Sequence, residues 1–258
     1  GVQSRGVGTS LKHYAVNNQE IRRGTINAEV DERTLREYYM KVFEIVLKYS
    51  DPTSVMCAYN KLNGIWCSEN RYLLTELLKE EWKYSGLVIS DWGAVHNIAK
   101  CLKAGLDLQM PKNETIEKEL REGIENGTLT MEDVDRAVAS VLRLVDRIAN
   151  LPQNNEEYSR ERQHGVAYDT ACETITLLRN ENDILPITKD KYQKIAVLGR
   201  WAKEPLFMGG GSSKVSVWEE SVDIPFTHIL KNNDGISVEY FPIFEDGFSD
   251  EGVVHKID

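Results

Sequence analysis

Residues 86–95 read GLVISDWGAV, an apolar run that stops abruptly at Asp91 and continues with Trp92 and Gly93. The letters LVI are continuously apolar, which is typical of a parallel strand buried on both faces. A carboxylate is costly to remove from water unless it is paired or hydrogen-bonded. We therefore predict a buried strand whose terminal acid is either a solvated turn residue or a group held at the edge of the core for chemistry.

Short apolar segments alternate with helical patterns on both sides of this stretch. We predict strands at residues 7–15, 54–59, 86–90 and 105–110. We predict helices at residues 31–50, 72–82, 97–104, 114–126 and 130–150, the last of which opens with a capping-box pattern. Such alternation is typical of parallel strands joined by helical crossovers. The predicted fold class of this part of the chain is therefore α/β.

A polar, turn-rich linker is predicted at residues 151–159, followed by a second α/β unit at residues 160–258. Within that unit we predict helices at residues 160–179 and 226–231 and strands at residues 194–198 and 237–241. The sequence thus predicts two domains of the same class.

The overall composition excludes some classes of partner. The chain has 258 residues and a formal net charge of -10, which disfavours nucleic acid as a partner. No apolar run approaches the about 18 residues of a membrane span, so no membrane partner is predicted. The N-terminal letters GVQSRGVG lack the charged-then-apolar pattern of a secretory signal, and a cytoplasmic location is the favoured expectation.

The four cysteines, Cys57, Cys67, Cys101 and Cys172, form no CxxC pair, and no metal site is predicted. Cys57 and Cys67 flank the turn NKLNG and could meet across it, but at this low cysteine density we favour four reduced thiols. The loop GGGSSK lacks the GxxxxGK(S/T) spacing of a phosphate loop, and no cofactor is predicted.

Polar and aromatic side chains follow the predicted strands at their carboxyl ends, where parallel sheets and barrels gather active groups. These residues are Lys12, His13, Tyr59, Asn60, Asp91, Trp92 and Asp107. A carboxylate can act on an anomeric carbon, lysine and histidine can bind hydroxyls, and an indole offers an apolar face to a sugar ring. An acid after a strand is most often a turn residue, so it is the joint occurrence of the set that indicates a carbohydrate site.

Several longer stretches resemble the family 3 glycoside hydrolases, the β-glucosidase group. They are GTSLKHYAVNNQE, DERTLREYY, SVMCAYNKLNGIWCSEN, LLTELLKEEWKYSGLVISDWGA and AGLDLQMP, and further on ETITLLRNENDILPI and KIAVLGRWA. The resemblance implies that residues 1–150 form the C-terminal half of a TIM-type barrel. It also implies that residues 160–258 begin an α/β sandwich domain.

Site residues follow from the resemblance position by position. Asp91 matches the catalytic nucleophile of the family. Lys12 and His13 match the pair that binds hydroxyls of the sugar at the cleavage site. The other matches are Met56 beside the nucleophile, Tyr59 as a hydrogen-bond donor to it, Trp92 in a subsite and, more weakly, Ser212 in the loop GGGSS.

The resemblance implies a retaining β-glucosidase-type hydrolase, which releases terminal non-reducing β-D-glucosyl residues through a covalent glycosyl-enzyme intermediate on Asp91. Its partner would be a β-glucoside or a short β-linked oligosaccharide. The family's general acid/base is a glutamate beyond residue 258, so none is assigned here. We therefore expect a truncated form with weak or no activity, which self-associates as a homo-oligomer or pairs with other segments to cover open sheet edges.

Two further interpretations remain open. A non-catalytic carbohydrate-binding remnant would use the same rim of Lys12, His13 and Trp92 without turnover. Apart from the resemblance, the pattern also suits an α/β-barrel lyase in which Lys12 forms a Schiff base.

Overall fold

The computed structural model describes residues 1–152, 157–218, 220, 222–233 and 235–242. The chain divides into two compact units, Gly1–Glu156 and Glu157–Asp258. The predicted linker at residues 151–159 spans this division, and its residues 153–156 lie outside the described residues. The assignment of the two units to a barrel domain and a sandwich domain stays a prediction.

The first unit is built on short strands. They are β1 (Ser10–Tyr14), β2 (Asn27–Ala28), β3 (Ser54–Cys57), β4 (Lys61–Leu62), β5 (Ile65–Trp66) and β6 (Leu87–Ile89). The main sheet has the order β1–β3–β6, and both of its pairings are parallel. The predicted parallel strands at residues 7–15, 54–59 and 86–90 are thus confirmed, with shorter bounds. A small second sheet has the order β2–β4–β5, in which β4 and β5 pair in antiparallel fashion.

Helices connect these strands. They are α1 (Glu32–Thr34), which continues through a π-helical segment (Leu35–Tyr39) into α2 (Met40–Ser50), a π-helix (Tyr72–Glu81), α3 (Ile98–Ala104), α4 (Glu114–Glu125) and α5 (Met131–Ala149). The predicted capping box of α5 is present, because the Thr130 side chain accepts from the Asp133 amide and the Asp133 carboxylate accepts from the Thr130 amide.

The core of the first unit lies between the main sheet and the π-helix. Leu73, Leu74, Leu77 and Leu78 are fully buried, and they belong to the same cluster as Val55 and Cys57 of β3 and Val88 of β6. Each such leucine contributes about 1.5–3 kcal/mol through burial. This face anchors β3 and β6 side by side and therefore sets the positions of the residues that follow them.

The predicted strand at residues 105–110 is wrong. Only Leu108 forms a bridge, with Ile89, and it is isolated. The segment follows β6 through the backbone amides of Asp107 and Leu108, which both donate to the Val88 carbonyl. The Asp107 carboxylate in turn accepts from the Val88 amide at 2.9 Å. The Asp107 carboxylate thus accepts a hydrogen bond that a backbone carbonyl would accept in a regular strand pair.

The second unit contains α6 (Arg160–Thr174), β7 (Lys194–Leu198), α7 (Pro225–Asn232) and β8 (Ser237–Phe241), and β7 pairs with β8 in parallel. The predicted helix at residues 160–179 is wrong beyond Thr174, because Ile175 is extended. The letters TIT at residues 174–176 are β-branched and lose side-chain freedom in a helix.

Across the part of the chain that the structure describes, none of the helices combines the length and apolarity that a membrane crossing requires.

Candidate active site

The carboxyl ends of β1, β3 and β6 lie together because the three strands are parallel neighbours. β1 carries Lys12 and His13, Tyr59 follows β3 by two residues, and Asp91 follows β6 by two residues. The three strand ends therefore deliver an imidazole, a phenol and a carboxylate to one place.

Asp91 is 7% exposed, and its carboxylate accepts two hydrogen bonds. The Tyr59 hydroxyl donates to Oδ1 at 2.8 Å, and the Trp92 amide donates to the same oxygen at 2.7 Å. The His13 Nε2 atom lies 3.2 Å from Oδ2. These donors replace the water that burial removes, which is what an ionised carboxylate at the edge of a core requires.

The Tyr59 hydroxyl stays protonated and therefore remains a hydrogen-bond donor. Burial raises the pKa of its hydroxyl to about 12, and the hydrogen bond to Asp91 adds to the increase. A phenol with this pKa keeps its proton throughout the neutral range, and the proton stays directed at the carboxylate.

His13 is set up as a neutral partner. Burial is the largest cause of its lowered pKa, and the neighbouring Lys12 ammonium lowers it further, whereas the Asp91 carboxylate raises it. At neutral pH the imidazole is therefore mainly uncharged, with its Nε2 atom facing the Asp91 carboxylate.

Lys12 and Trp92 present exposed groups beside this cluster. Lys12 is exposed and lines a cleft of about 570 Å³ together with His13, Asn17 and Glu37. The Trp92 side chain is 53% exposed directly after Asp91. An ammonium group and an open indole are the groups that a polar ligand with one apolar face would contact.

The other two predicted site residues are placed differently. Met56 is buried in β3, where it pairs with Ile89 of β6, two residues before Asp91. Ser212 is exposed and lies in a short 3-10 turn (Gly211–Ser213) of the second unit. Its role therefore rests on the resemblance alone.

Arg23 is a neighbour of the site that the sequence analysis missed. Its guanidinium lies 4.5 Å from the centre of the Tyr59 ring and pairs with Glu20 at 2.8 Å. Its charge also lowers the pKa of both His13 and Tyr59. Arg23 lies in a loop away from any predicted strand end, so only its place in the polar run NNQEIRR could have indicated it.

Two residues predicted at the rim serve the scaffold. The prediction that Asp107 lies at the rim is wrong. Its carboxylate accepts a hydrogen bond from the amide of Val88 within β6 and forms ion pairs with Lys79 and Arg136. Asn60 is fully buried, and its side-chain amide donates to the carbonyls of Ala15 and Lys61. Both side chains fix the backbone next to the site.

Among the residues that the structure describes, no three His, Cys, Asp or Glu side chains are grouped to hold a metal ion. Cys57, Cys67 and Cys101 are buried thiols, and Cys172 is an exposed thiol. The hydrogen bonds from Tyr59 and Trp92 hold the buried Asp91 carboxylate in a fixed orientation, in which it can act as a nucleophile or as a base.

Residues 1–144 match the profile described as the glycosyl hydrolase family 3 N-terminal domain, and residues 175–239 match the profile of the family 3 C-terminal domain. The chain is 48% identical over 217 residues to thermostable β-glucosidase B of Acetivibrio thermocellus. The aligned region covers 84% of this chain and 28% of that protein.

Two further comparisons agree with these matches. An exo-α-(1→6)-L-arabinopyranosidase of Bifidobacterium longum is 39% identical over 224 residues, with 84% of this chain and 30% of that protein covered. The crystal structure of a Kluyveromyces marxianus β-glucosidase in complex with glucose superposes with a TM-score of 0.81 at 30% identity, over 96% of this chain and 31% of that one. The chain thus spans less than a third of the length of these relatives.

Proposed function

Since the chain belongs to glycosyl hydrolase family 3, we propose that it carries the nucleophile half of a retaining β-glucosidase-type active site, with Asp91 as the nucleophile. The observation that carries this proposal is the Asp91 carboxylate, buried at the end of a parallel strand and held by Tyr59 and His13. The A. thermocellus relative is named a β-glucosidase, and its activity is extended to this chain only as part of the proposal.

In the proposed reaction, a carboxylate oxygen of Asp91 forms a bond to the anomeric carbon as the bond to the aglycone oxygen breaks. Among the described residues, Oδ1 accepts two hydrogen bonds, whereas Oδ2 has the His13 Nε2 atom 3.2 Å away, so we assign the attack to Oδ2. Water then cleaves the glycosyl–Asp91 ester and restores the carboxylate. Lys12 and Trp92 would bind the hydroxyls and the apolar face of the sugar.

The leaving aglycone needs a proton from a general acid, and no acid/base is assigned in this chain. Weak or absent turnover of natural glucosides is therefore part of the proposal. An activated aryl glucoside, whose leaving group needs no proton, should be cleaved much faster than cellobiose. Comparable rates on both substrates would show that an acid is present.

A fluorinated probe tests the nucleophile directly. In 2-deoxy-2-fluoroglucosyl fluoride the leaving fluoride needs little acid assistance, and the C2 fluorine slows hydrolysis of the ester. Intact-mass measurement should show one added glycosyl group, which peptide mapping places on Asp91. Asp91→Asn should label at least about a hundredfold more slowly, while Asp135→Asn, an exposed acid on α5, should label like the wild type.

The second candidate is a carbohydrate-binding chain without turnover. The exposed Trp92 and Lys12 beside the buried carboxylate favour it, because they would bind sugar whether or not chemistry follows. Asp91→Ala separates the candidates. Sugar binding with no probe labelling of the wild type supports the second candidate, and labelling that is lost in the variant supports the first. The panel should include an α-L-arabinopyranoside because of the B. longum relative.

We also propose that residues 1–150 are part of a TIM-type barrel, and that further segments or a second copy cover its open faces. Within the described residues, β1 pairs only with β3. The helices around the sheet expose large apolar side chains, including Val42, Leu142 and Val145. Such surfaces favour association. Sedimentation that gives a compact, stable monomer at all concentrations would overturn the proposal of association.

A further inference from the structure

Asp91 opens a four-residue turn. The Ala94 amide donates to the Asp91 carbonyl at 3.1 Å, which closes the turn Asp91–Trp92–Gly93–Ala94. Gly93 has a φ of 78°, a positive angle that favours glycine at the third position of such a turn. The direction of the Asp91 side chain therefore depends on how firmly this turn is held.

One buried serine holds the residue before Asp91. Ser90 is fully buried, and its hydroxyl accepts from the Met110 amide at 2.9 Å. The Ser90 amide donates to the Leu108 carbonyl at 2.9 Å. Side chain and backbone of Ser90 thus both attach the end of β6 to the segment that follows α3.

A second buried serine holds the far end of the turn. Ser68 is 1% exposed and lies in the short 3-10 segment Cys67–Glu69. Its hydroxyl donates to the Ala94 carbonyl at 2.7 Å. The Gly93 amide also donates to the Met110 carbonyl at 3.2 Å. The turn is therefore anchored on both sides of Asp91, and each side uses one serine hydroxyl.

We propose that Ser68 and Ser90 are positioning residues that hold the Asp91 turn in the geometry required for attack on the anomeric carbon. This inference rests on the proposed function of Asp91. Neither hydroxyl bonds to the carboxylate, so both act through the backbone. A displacement of about 1 Å at a reacting group lowers a rate by about a hundredfold, so loss of either anchor should slow the bond-forming step more than it weakens sugar binding.

The matched control is Ser140→Ala. Ser140 is also a buried serine whose hydroxyl donates to a backbone carbonyl, that of Arg136 at 3.2 Å, but it lies within α5. Ser68→Ala, Ser90→Ala and Ser140→Ala each remove one buried hydroxyl, and Ser140→Ala also removes the hydrogen bond that Ser140 accepts from Arg143 at 2.8 Å. Only the first two remove an anchor of the turn.

Labelling with 2-deoxy-2-fluoroglucosyl fluoride over a range of concentrations separates the rate of bond formation from probe affinity. In Ser68→Ala and Ser90→Ala the rate at saturation should fall at least about tenfold, while the half-saturating concentration changes by less than about twofold. Ser140→Ala should match the wild type. A rate within about twofold of the wild type in both turn variants would overturn the proposal.

Amide hydrogen exchange gives a readout that needs no activity. The amide exchange rates of Trp92, Gly93 and Ala94 should increase in both turn variants by a larger factor than the change in the free energy of global unfolding would cause. They should be unchanged in Ser140→Ala. Unchanged exchange there would overturn the proposal. If the wild type is not labelled at all, the proposed function fails, and exchange still decides whether the serines hold the turn. If Ser90→Ala does not fold, Ser68→Ala decides alone.

Discussion

Asp107→Asn should destabilise the first unit by about 3 kcal/mol, because it leaves the Lys79 ammonium without its counter-charge. Lys79 Nζ lies 3.0 and 2.9 Å from the two carboxylate oxygens, and the Asp107 side chain is fully buried. Breaking a buried pair from one side costs about 3–5 kcal/mol. The Lys79 side chain is 22% exposed, so water solvates part of the unpaired charge and the lower end of the range applies.

Urea denaturation of the full chain, read by pulsed hydrogen exchange and mass spectrometry, reports the first unit through peptides from β6 and the π-helix. With a slope of about 2 kcal/mol per molar urea, the midpoint should fall by about 1.5 M. The matched control is Glu37→Gln, which breaks the exposed pair of Arg33 and Glu37 at 3.1 Å. It should cost less than about 0.5 kcal/mol.

The pH dependence of the Asp107→Asn defect provides a second check. Burial lowers the pKa of Lys79, and Asp107 opposes that effect. In Asp107→Asn the pKa of Lys79 falls further, so at high pH the unfolded chain binds more protons than the native chain and stability rises with pH. The defect should therefore shrink between about pH 7 and about pH 9.5. A midpoint within about 0.3 M of the wild type at neutral pH, or a defect that does not shrink, would refute the reasoning.

Four further predictions concern His13, the cysteines and the first turn of α5. NMR titration should show that Lys12→Ala raises the pKa of His13 and that Asp91→Asn lowers it, because the two charges act in opposite directions; changes of the reverse sign would contradict this electrostatic account. The folded-state pKa of His13 lies below 6.5, so the contribution of His13 to stability is present above pH 6.5 and is lost as the pH falls below that value. In urea denaturation, His13→Gln should therefore reduce the dependence of stability on pH in this acidic range. A thiol reagent should modify Cys172 rapidly and the three buried cysteines only on unfolding, because burial raises the pKa of each buried thiol; four equally fast reactions would disprove the burial. Thr130→Ala should cost about 1 kcal/mol through the lost cap of α5, seen as faster amide exchange in its first turn, and unchanged exchange there would show that the cap contributes nothing.

Continuous apolar runs and strand-end residues were the features that sequence reasoning could use. The runs at β3 and β6 predict buried parallel strands, and adjacent parallel strands place their carboxyl ends together. The proximity of His13, Tyr59 and Asp91 follows from that geometry. The capping box of α5 is equally local, because its residues are only three positions apart.

Contacts between segments that are far apart in the sequence could not be predicted from it. Asp107 follows an apolar segment as Asp91 does, yet its partners Lys79 and Arg136 come from the π-helix and α5, 28 and 29 residues away. Arg23 reaches the Tyr59 ring from a loop without periodicity. The π-helical hydrogen bonding of residues 72–81 also leaves no mark on the leucine spacing that predicted an ordinary helix.

The exposed indole of Trp92 makes the candidate site observable by light. Trp92 is 53% exposed, whereas Trp66 is stacked on the His96 ring and Trp82 packs edge-on against Tyr14. A sugar that covered Trp92 would change the polarity around one fluorophore and leave these two in place. The difference in emission between the wild type and Trp92→Phe therefore offers a titration signal for any colourless ligand, including those that the chain binds without cleaving.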